Sequence, residues 1–467
     1  MLRFPKGFLW GAATSSYQIE GASHTDGRGE SIWDRFAKVP GQIADGSDGA
    51  IACDHYHRWP EDIELMKKLG LNSYRFSVAW PRIFPSGRFD VNEAGLDFYD
   101  RLVDGLLAAD IAPMVTLYHW DLPQALEDEG GWTSRGIVDA FTAYVDVVTD
   151  RLGDRVRQFI THNEPWCISV LGYASGLHAP GRRDWNAALA TAHHLLLSHG
   201  LAVPVIRQNA PDAEVGITLN LAPVQAASTS EYDVTACREF DGQFNRWFLD
   251  PLFGKPYPQD AIDDHVSRCR IPSADLPFVH PGDDAIIAAP IDFLGVNYYS
   301  RAIMRSDRIP EAENAPRTVV QSDDRTDFGW EVYPEGLKTL LVTLHETYKP
   351  AKIYITENGA AYDTGPDQGG RVHDIERQRY LYGHLQAVLE ACNAGVPVDG
   401  YFVWSLLDNY EWQEGYRKRF GIVWVDFATQ ERIPKESFAL YQSVIEAHGL
   451  QDVWPHAAQA KRRLMQR

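Results

Sequence analysis

Two glutamates stand at the ends of short apolar runs that have the composition of β-strands. Glu164 belongs to THNEPW (161–166) and Glu357 to KIYITEN (352–358). Strand interiors disfavour carboxylates, and an unpaired buried carboxylate is costly, so both positions need a chemical reason. Two carboxyl groups that face one space can cleave a glycosidic bond, since one protonates the leaving oxygen while the other attacks the sugar or activates water.

Eight strand-like runs alternate with amphipathic helical patterns along the chain. The alternation and the nearly continuous apolar runs predict a closed parallel (β/α)8 TIM barrel covered by helices. An open doubly wound sheet is the alternative, but no glycine-rich phosphate loop follows the first strand, and GRGESIW (27–33) resembles one only weakly. The predicted strands are 8–14, 72–80, 112–120, 157–163, 214–222, 291–299, 352–358 and 399–407, and the clearest helices are 60–70, 93–109, 134–153 and 375–395.

Polar and aromatic residues gather at the carboxyl ends of these strands, where such barrels carry their chemistry. The two glutamates come from the fourth and seventh strands, on opposite sides of the ring, so both can reach one mouth. The irregular segment 301–330 is expected to be a surface excursion at that mouth. The other residues at or near strand ends are Gln18, Glu20, Arg75, His119, Trp120, Asn163, Asn297, Tyr299, Asn358 and Trp404.

Longer motifs resemble a known family over essentially the whole chain. FLWGAATSSYQIEG (8–21), THNEP (161–165) and ITENG (355–359) resemble the three signatures of glycoside hydrolase family 1, the β-glucosidase family, and VNYYS (296–300), GWEVYP (329–334) and WSLLDNYEW (404–412) extend the match. The resemblance implies one catalytic domain over 1–467 and a retaining exo-β-glycosidase without metal or organic cofactor. It implies small β-glucosides or cello-oligosaccharides as substrates, with side activity on β-galactosides and β-fucosides.

The resemblance also assigns roles to single residues. Glu357 would be the nucleophile and Glu164 the general acid/base, and Arg75 would keep Glu357 ionised, so that the charge of Glu357 keeps Glu164 protonated. Asn297 and Tyr299 would support this pair. The implied glycone-binding residues are Gln18, His119, Trp120, Asn163, Trp404, Glu411, Trp412 and Phe420, and the implied leaving-group site contains Trp166, Cys167 and Trp330.

Two alternatives remain beside this interpretation. A 6-phospho-β-glucosidase would need a phosphate site, and Lys418 could form half of one, but the carboxylate of Glu411 would repel a phosphate. A non-catalytic sugar-binding relative would be expected to lack Glu164 or Glu357, and both are present.

Composition excludes other classes of partner. The 44 Lys and Arg residues against 64 Asp and Glu give a net charge of −20, which argues against nucleic acid and anionic membranes. No run approaches the roughly 18 apolar residues of a membrane span. Five scattered cysteines and the lack of a leader-like N-terminus indicate the cytoplasm.

Several histidines lie outside the family motifs or depart from them. His55 and His57 in DHYHRW (54–59) could suggest a metal site, but no evident third ligand accompanies them, so none is predicted. His193, His194 and His199 are expected at the surface or in packing. His162 stands where the family usually has an apolar residue, and it is expected to pack behind the site.

Overall fold

The eight predicted strands form a closed barrel in the computed structural model, which describes residues 2–308 and 321–451. Neighbouring barrel strands are parallel throughout. The (β/α)8 TIM barrel is confirmed, and the open sheet is wrong. In chain order the barrel strands are Leu9–Ala13, Ser73–Ser77, Ala112–Tyr118, Gln158–Asn163, Glu214–Asn220, Phe293–Asn297, Ile353–Asn358 and Val398–Trp404.

Helices follow the strands and cover the outside of the barrel. The four predicted helices are present. The first begins at His55, earlier than expected, and ends at Leu69, where Gly70 with a φ of 81° caps it. The others in that group match the prediction to within a few residues. The longer helices are His55–Leu69, Glu93–Ala108, Ile137–Leu152, Trp185–Asn209, Glu231–Asp241, Gln259–Ser267, Pro334–Thr347, Ile375–Asn393 and Glu436–Ala447.

Shorter helical segments lie mainly in the loops between strand and helix. A nine-residue π-helix, Cys167–Ser175, follows the fourth strand after Glu164, Pro165 and Trp166. The remaining segments are Ser16–Ile19, Ile32–Ala37, Trp80–Ile83, Gln124–Asp128, Gly131–Thr133, Gly242–Arg246, Trp247–Leu252, Asp283–Ile287 and Trp412–Glu414.

Small two-stranded sheets complete the described chain. Leu2–Arg3 pairs antiparallel with Gly449–Leu450, which joins the two ends of the described chain. Val423–Val425 pairs antiparallel with Arg432–Pro434. Val224–Ala226 pairs in parallel with Ala302–Met304, so the described start of the excursion 301–330 is ordered; residues 309–320 of that excursion lie outside the described residues.

One described helix, Trp185–Asn209, is long and apolar enough to cross a membrane by composition alone. Its most apolar stretch is 83% buried within the protein, and it packs on Ile137–Leu152 and on the π-helix. Its apolar character is therefore that of a core helix. His193, His194 and His199 on this helix are buried, which confirms packing and excludes the surface.

Candidate active site

The carboxyl ends of the strands open into one cavity of about 420 Å³. Glu357 on the seventh strand lies beside Asn297 on the sixth. Asn297 in turn contacts Glu164, so the two glutamates come together in this cavity. Of the predicted site residues, only Gln18, Arg75 and Asn163 do not line it, and these three are buried directly against residues that do. The predicted residues that line it are His119, Trp120, Glu164, Trp166, Cys167, Asn297, Tyr299, Trp330, Glu357, Trp404, Glu411, Trp412 and Phe420.

Glu357 is held by a cation and a phenol. Arg75 donates to Glu357 Oε1 at 2.7 Å, and the Tyr299 hydroxyl donates to Oε2 at 2.6 Å. The guanidinium is fully buried and is fixed by further bonds to Thr116 Oγ1 and to the carbonyl of Thr356. Both carboxylate oxygens therefore face donors, and one donor carries a full positive charge, which favours the ionised form.

Glu164 has only neutral donors in contact. Asn297 Nδ2 donates to Glu164 Oε1 at 2.7 Å, and the Cys167 thiol donates to Oε2 at 3.1 Å. The backbone of Glu164 has a φ of 51°, in the left-handed region that a non-glycine residue adopts only when its surroundings impose it. Its N–H donates to the carbonyl of Thr218 on the neighbouring strand, which helps to hold this conformation.

An amide network connects the two carboxyl groups and fixes its own orientation. Asn163 Oδ1 accepts from Arg75 at 2.7 Å and from Asn297 Nδ2 at 3.0 Å. Asn297 Oδ1 in turn accepts from the Thr356 hydroxyl at 2.7 Å. Each amide oxygen faces donors, so the amide nitrogens must point to Glu164 and His119. A continuous chain of hydrogen bonds therefore runs from Glu357 through Arg75, Asn163 and Asn297 to Glu164.

Their partners separate the behaviour of the two acids. Burial, together with the charge of Glu357, raises the pKa of Glu164 to about 7. Burial also raises the pKa of Glu357 above its ordinary value, but Arg75 and the Tyr299 hydroxyl oppose that rise. The carboxyl beside the guanidinium gives up its proton first, and the remaining negative charge then holds a proton on Glu164.

His119 is a neutral ring that lines the cavity. Burial and the nearby Arg75 hold the pKa of His119 well below its ordinary value. Its Nε2 lies 3.1 Å from Asn163 Nδ2, which donates, so the proton of the neutral ring sits on Nδ1. That Nδ1 is buried without a protein partner, and the ring lines the cavity. His119 therefore contributes a neutral ring to the cavity wall.

Aromatic rings form the rest of the inner wall. The His119 ring lies nearly parallel to both Trp404 and Trp412, at 17° and 5.9 Å in each case. Trp120 packs against Trp412 at 4.5 Å, and its indole N–H donates to the carbonyl of Asn163, so it presents ring carbon to the cavity. Phe420 lines the same cavity. Flat faces of this kind suit the C–H faces of a sugar ring.

Gln18 and Glu411 form a polar corner of the site. Gln18 Nε2 donates to Asn409 Oδ1 at 3.0 Å and to the carbonyl of Tyr410 at 2.8 Å, and it lies 3.5 Å from Glu411 Oε2. Burial raises the pKa of Glu411 well above its ordinary value, and the charges of Glu357 and Glu164 add to the rise. The cavity thus contains a third carboxyl that accepts or donates a hydrogen bond.

The residues predicted for the leaving-group site all line the cavity. Trp166 lies edge-on to Phe244 at 4.8 Å, and Trp330 stacks on Phe328 at 4.5 Å and 18°. Cys167 does more than pack, because its thiol touches Glu164 and also lies 3.6 Å from Asn220 Nδ2. In the sequence, only the spacing of three residues between Glu164 and Cys167 points to this thiol–carboxyl contact.

Some residues at strand ends serve the scaffold and not the cavity. Glu20 is ion-paired with Arg82 at 3.0 Å and accepts from Tyr99. Asn358 donates to the carbonyl of Tyr298 at 2.7 Å. Neither residue lines the cavity. Their positions fit the pattern of a site residue, but neighbouring polar groups behind the barrel satisfy them.

The remaining histidines and Lys418 have structural partners. His162 stacks on Phe141 at 4.4 Å and bonds Ser198, which confirms packing behind the site. His55 is bonded to Asp62 and His57 to Asp54, and no metal-binding cluster occurs within residues 2–308 and 321–451. Lys418 donates to the carbonyl of Asp327 and does not line the cavity.

Several lining residues are not predictable from the sequence. They come from the end of the fifth strand and from the loops and helices after the fourth, fifth and sixth strands, where neither periodicity nor a motif marks a functional position. Only the general expectation that these loops shape the mouth points to them. They include Leu171, His178, Asn220, Leu221, Phe240, Phe244, Arg301 and Phe328.

Comparison with known proteins gives one consistent result. The model of the family described as glycosyl hydrolase family 1 matches residues 1–450. The chain is 47% identical to β-glucosidase A of Thermotoga maritima over 452 residues, covering 96% of this chain and 99% of the relative. It is 42% identical to a bifunctional β-D-glucosidase/β-D-fucosidase of Bifidobacterium breve, with 95% and 98% coverage.

Solved structures agree with the sequence relatives. The Thermotoga maritima β-glucosidase in complex with glucoimidazole superposes with a TM-score of 0.90 at 46% sequence identity, and the match covers 96% of this chain and 100% of that one.

Proposed function

Because this chain belongs to glycosyl hydrolase family 1 and is a retaining β-glucosidase, we propose that Glu357 is its nucleophile and Glu164 its general acid/base. The observation that carries the assignment is the asymmetry of their partners. Glu357 touches a guanidinium and a phenol, whereas Glu164 touches an amide and a thiol. Only the first environment favours a carboxylate that attacks, and only the second keeps a proton to give away.

In the first step Glu357 attacks the anomeric carbon as the glycosidic bond breaks. A carboxylate oxygen of Glu357 forms the new C–O bond, and the proton of Glu164 passes to the departing oxygen, so the aglycone leaves as a neutral alcohol. Asn163 is held by Arg75 and Asn297 within reach of His119, and we propose that it contacts the sugar 2-hydroxyl. That contact strengthens as the oxocarbenium-like transition state forms.

In the second step the same two residues exchange tasks. Once Glu357 is esterified its charge is gone, so the charge that helped raise the pKa of Glu164 is removed and that pKa falls. Glu164, now ionised, removes a proton from water, whose oxygen attacks the anomeric carbon and releases Glu357. The product keeps the β configuration because each step inverts it once.

The glycone site is proposed to recognise a terminal β-D-glucosyl unit. We propose that His119, Gln18 and Glu411 bond its hydroxyls and that Trp404 and Trp412 pack against the ring; His119, Glu411 and both tryptophans line the cavity, and Gln18 lies 3.5 Å from Glu411 Oε2. The enzyme is also active on β-fucosides or β-galactosides as a side reaction, as a relative that acts on both β-D-glucosides and β-D-fucosides suggests. Glu411 in the cavity and Lys418 outside it disfavour a phosphorylated sugar.

The proposal also covers the domain organisation, the substrates and the cellular location. The whole chain is taken as one catalytic domain. The substrates are small β-glucosides, which include the cello-oligosaccharides released by cellulose degradation. The five free cysteines support a cytoplasmic location.

A nitrophenyl β-glucoside assay with two variants tests these assignments. We expect Glu357→Gly to abolish turnover, and azide to restore reaction with a dinitrophenyl glucoside to give the α-glucosyl azide. We expect Glu164→Ala to slow substrates with poor leaving groups far more than dinitrophenyl glucoside. A β-azide from the first variant, or equal losses on both substrates in the second, would overturn the assignment.

A further inference from the structure

A buried tyrosine outside the cavity is bonded to the backbone of the phenol that holds Glu357. Tyr380 lies on the helix Ile375–Asn393, and no motif marks it. Its side chain is fully buried, and its hydroxyl donates to the carbonyl of Tyr299 at 3.1 Å. The same hydroxyl accepts from Asn358 Nδ2 at 3.0 Å. Neither Tyr380 nor Asn358 lines the cavity, so both act on the site only through other residues.

Asn358 connects three strands directly behind Glu357. Its Nδ2 also donates to the carbonyl of Tyr298 at 2.7 Å, just beyond the sixth strand. Its Oδ1 accepts from the hydroxyl of Tyr401, on the eighth strand, at 2.7 Å. The N–H of Tyr298 in turn donates to the carbonyl of Glu357 at 3.0 Å. The backbone beside Glu357 is therefore tied to the chain that carries Tyr299.

The direction of each bond in this network is fixed. The carbonyls of Tyr298 and Tyr299 can only accept, so the two hydrogens of Asn358 Nδ2 go to Tyr298 and to the Tyr380 hydroxyl. The single hydrogen of that hydroxyl then goes to Tyr299. Removing the Tyr380 hydroxyl takes the donor from the Tyr299 carbonyl and leaves a buried amide hydrogen unpaired, and both losses are costly.

Tyr299 transmits the position of its backbone to Glu357. Its hydroxyl donates to Glu357 Oε2 at 2.6 Å, and this bond opposes the rise that burial causes in the pKa of Glu357. Residue 299 lies two positions beyond the sixth strand, Phe293–Asn297, so the hydrogen-bond ladder of the barrel does not include it. The bond from Tyr380 therefore holds a backbone position that the barrel ladder does not reach.

The Tyr380 ring is held independently of its hydroxyl. It stacks on His384 at 3.8 Å and 25°, and His384 Nδ1 lies 2.7 Å from the Tyr380 carbonyl. Burial lowers the pKa of His384 to about 3, so this ring is neutral above that pH. Burial also keeps the pKa of Tyr380 well above its ordinary value, so its hydroxyl stays protonated. Phenylalanine at 380 would keep the stack and lose only the hydroxyl.

We propose that Tyr380 and Asn358 are positioning residues, which fix the Tyr299 hydroxyl on Glu357 and thereby set the reactivity of this carboxylate. This inference rests on the proposed function, since it concerns the proposed nucleophile of the same reaction. Neither residue touches substrate. Their effect passes through the backbone of residues 298 and 299 and through the phenol of Tyr299.

Tyr380→Phe tests the proposal in the pH profile of kcat/KM for a nitrophenyl β-glucoside. A looser phenol favours ionised Glu357 less, so the midpoint of the acidic limb should rise by about half a pH unit. A misplacement of about 1 Å can cost on the order of 100-fold in rate, and a partial displacement should lower kcat/KM about tenfold. The charged and titratable neighbours of Glu357, namely Arg75, Glu164 and Glu411, are the same in both proteins.

Tyr144→Phe is the matched control. The Tyr144 hydroxyl is also fully buried, and it donates to two backbone carbonyls, those of Val78 and Leu117, on the second and third strands' side of the barrel. This variant loses the same group without a bond to the chain around Glu357. Its acidic limb should coincide with that of the wild type. If Tyr380→Phe shows the same acidic limb as Tyr144→Phe, the proposal is wrong.

A double variant separates positioning from a general structural role. Tyr299→Phe has no phenol hydroxyl to place, so adding Tyr380→Phe should change kcat/KM by less than about twofold and leave the acidic limb where Tyr299→Phe puts it. A second loss of about tenfold in the double variant would show that Tyr380 acts by another route, and would refute the proposal.

Two further variants keep the test decisive. Asn358→Ala serves if Tyr380→Phe does not fold, and it should raise the acidic limb in the wild type but not in Tyr299→Phe. Full turnover by Glu357→Gly would contradict the proposed function itself. An inactive Glu357→Gly, together with a wild-type pH profile in Tyr380→Phe, would contradict only the positioning role.

Discussion

Glu164 should make the folded protein less stable as the pH rises, and this can be measured without a substrate. Glu164 is 5% exposed, and burial and the charge of Glu357 raise the pKa of its carboxyl from 4.5 to about 7. The folded state therefore binds this proton more tightly than the unfolded state between those two values. The free energy of unfolding is unaffected below about pH 4.5 and falls as the pH rises through 7.

The size of the effect follows from the shift. One pKa unit corresponds to 1.36 kcal/mol, so a rise from 4.5 to about 7 predicts a loss of about 3 kcal/mol between pH 4.5 and pH 8. In Glu164→Gln the amide keeps the shape of the side chain and removes this titration. The variant should gain stability relative to the wild type across that pH range, by about the same amount.

Urea unfolding of both proteins at a series of pH values from 4 to 8 measures the difference. Other titrating groups are common to both proteins and cancel, apart from those coupled to Glu164. Glu346→Gln is the matched control, because Glu346 is an exposed glutamate on the helix Pro334–Thr347. If the stability curves of the wild type and Glu164→Gln run parallel, the environment assigned to Glu164 is wrong.

Three further outcomes follow from the site. In the pH profile of kcat/KM, the basic limb should have its midpoint at about pH 7. Cys167→Ala should move that midpoint about half a pH unit higher, because the hydrogen bond from the thiol favours ionised Glu164. Cys167→Ser should leave the midpoint in place. Arg75→Met should lower the free energy of unfolding by about 3–5 kcal/mol in urea titrations, since it leaves the Glu357 carboxylate buried without its cation. His162→Phe should keep kcat/KM within about twofold and change stability by about 1 kcal/mol, because the ring stacks on Phe141 and Ser198 retains its bond to the Leu195 carbonyl.

The barrel and the meeting of Glu164 and Glu357 at its mouth were predictable because local signals and global architecture agree. Eight apolar runs with polar residues at their carboxyl ends determine both the fold class and the edge where the site forms. The parallel arrangement then places Glu164 and Glu357 at one mouth, whatever the loops do. The asymmetry of the two acids was also predictable once Arg75 was assigned to the second strand.

Contacts between distant loops were not predictable. Glu20 has the position of a site residue, but its partner Arg82 comes from the loop after the next strand and draws it away. Phe240 and Phe244 join the cavity through an irregular helix whose path depends on packing against Trp166. Such placements are set by tertiary packing, which neither hydrophobic period nor turn chemistry encodes locally.

Covalent trapping of the nucleophile tests the central assignment most directly. A 2-deoxy-2-fluoro-β-glucoside with a dinitrophenolate leaving group should esterify the attacking carboxylate and accumulate, since the fluorine slows the second step. After proteolysis, mass spectrometry should find the added fluoroglucosyl mass on the peptide that contains Glu357. The mass on the peptide that contains Glu164, or release of dinitrophenolate with no labelled peptide, would contradict the account.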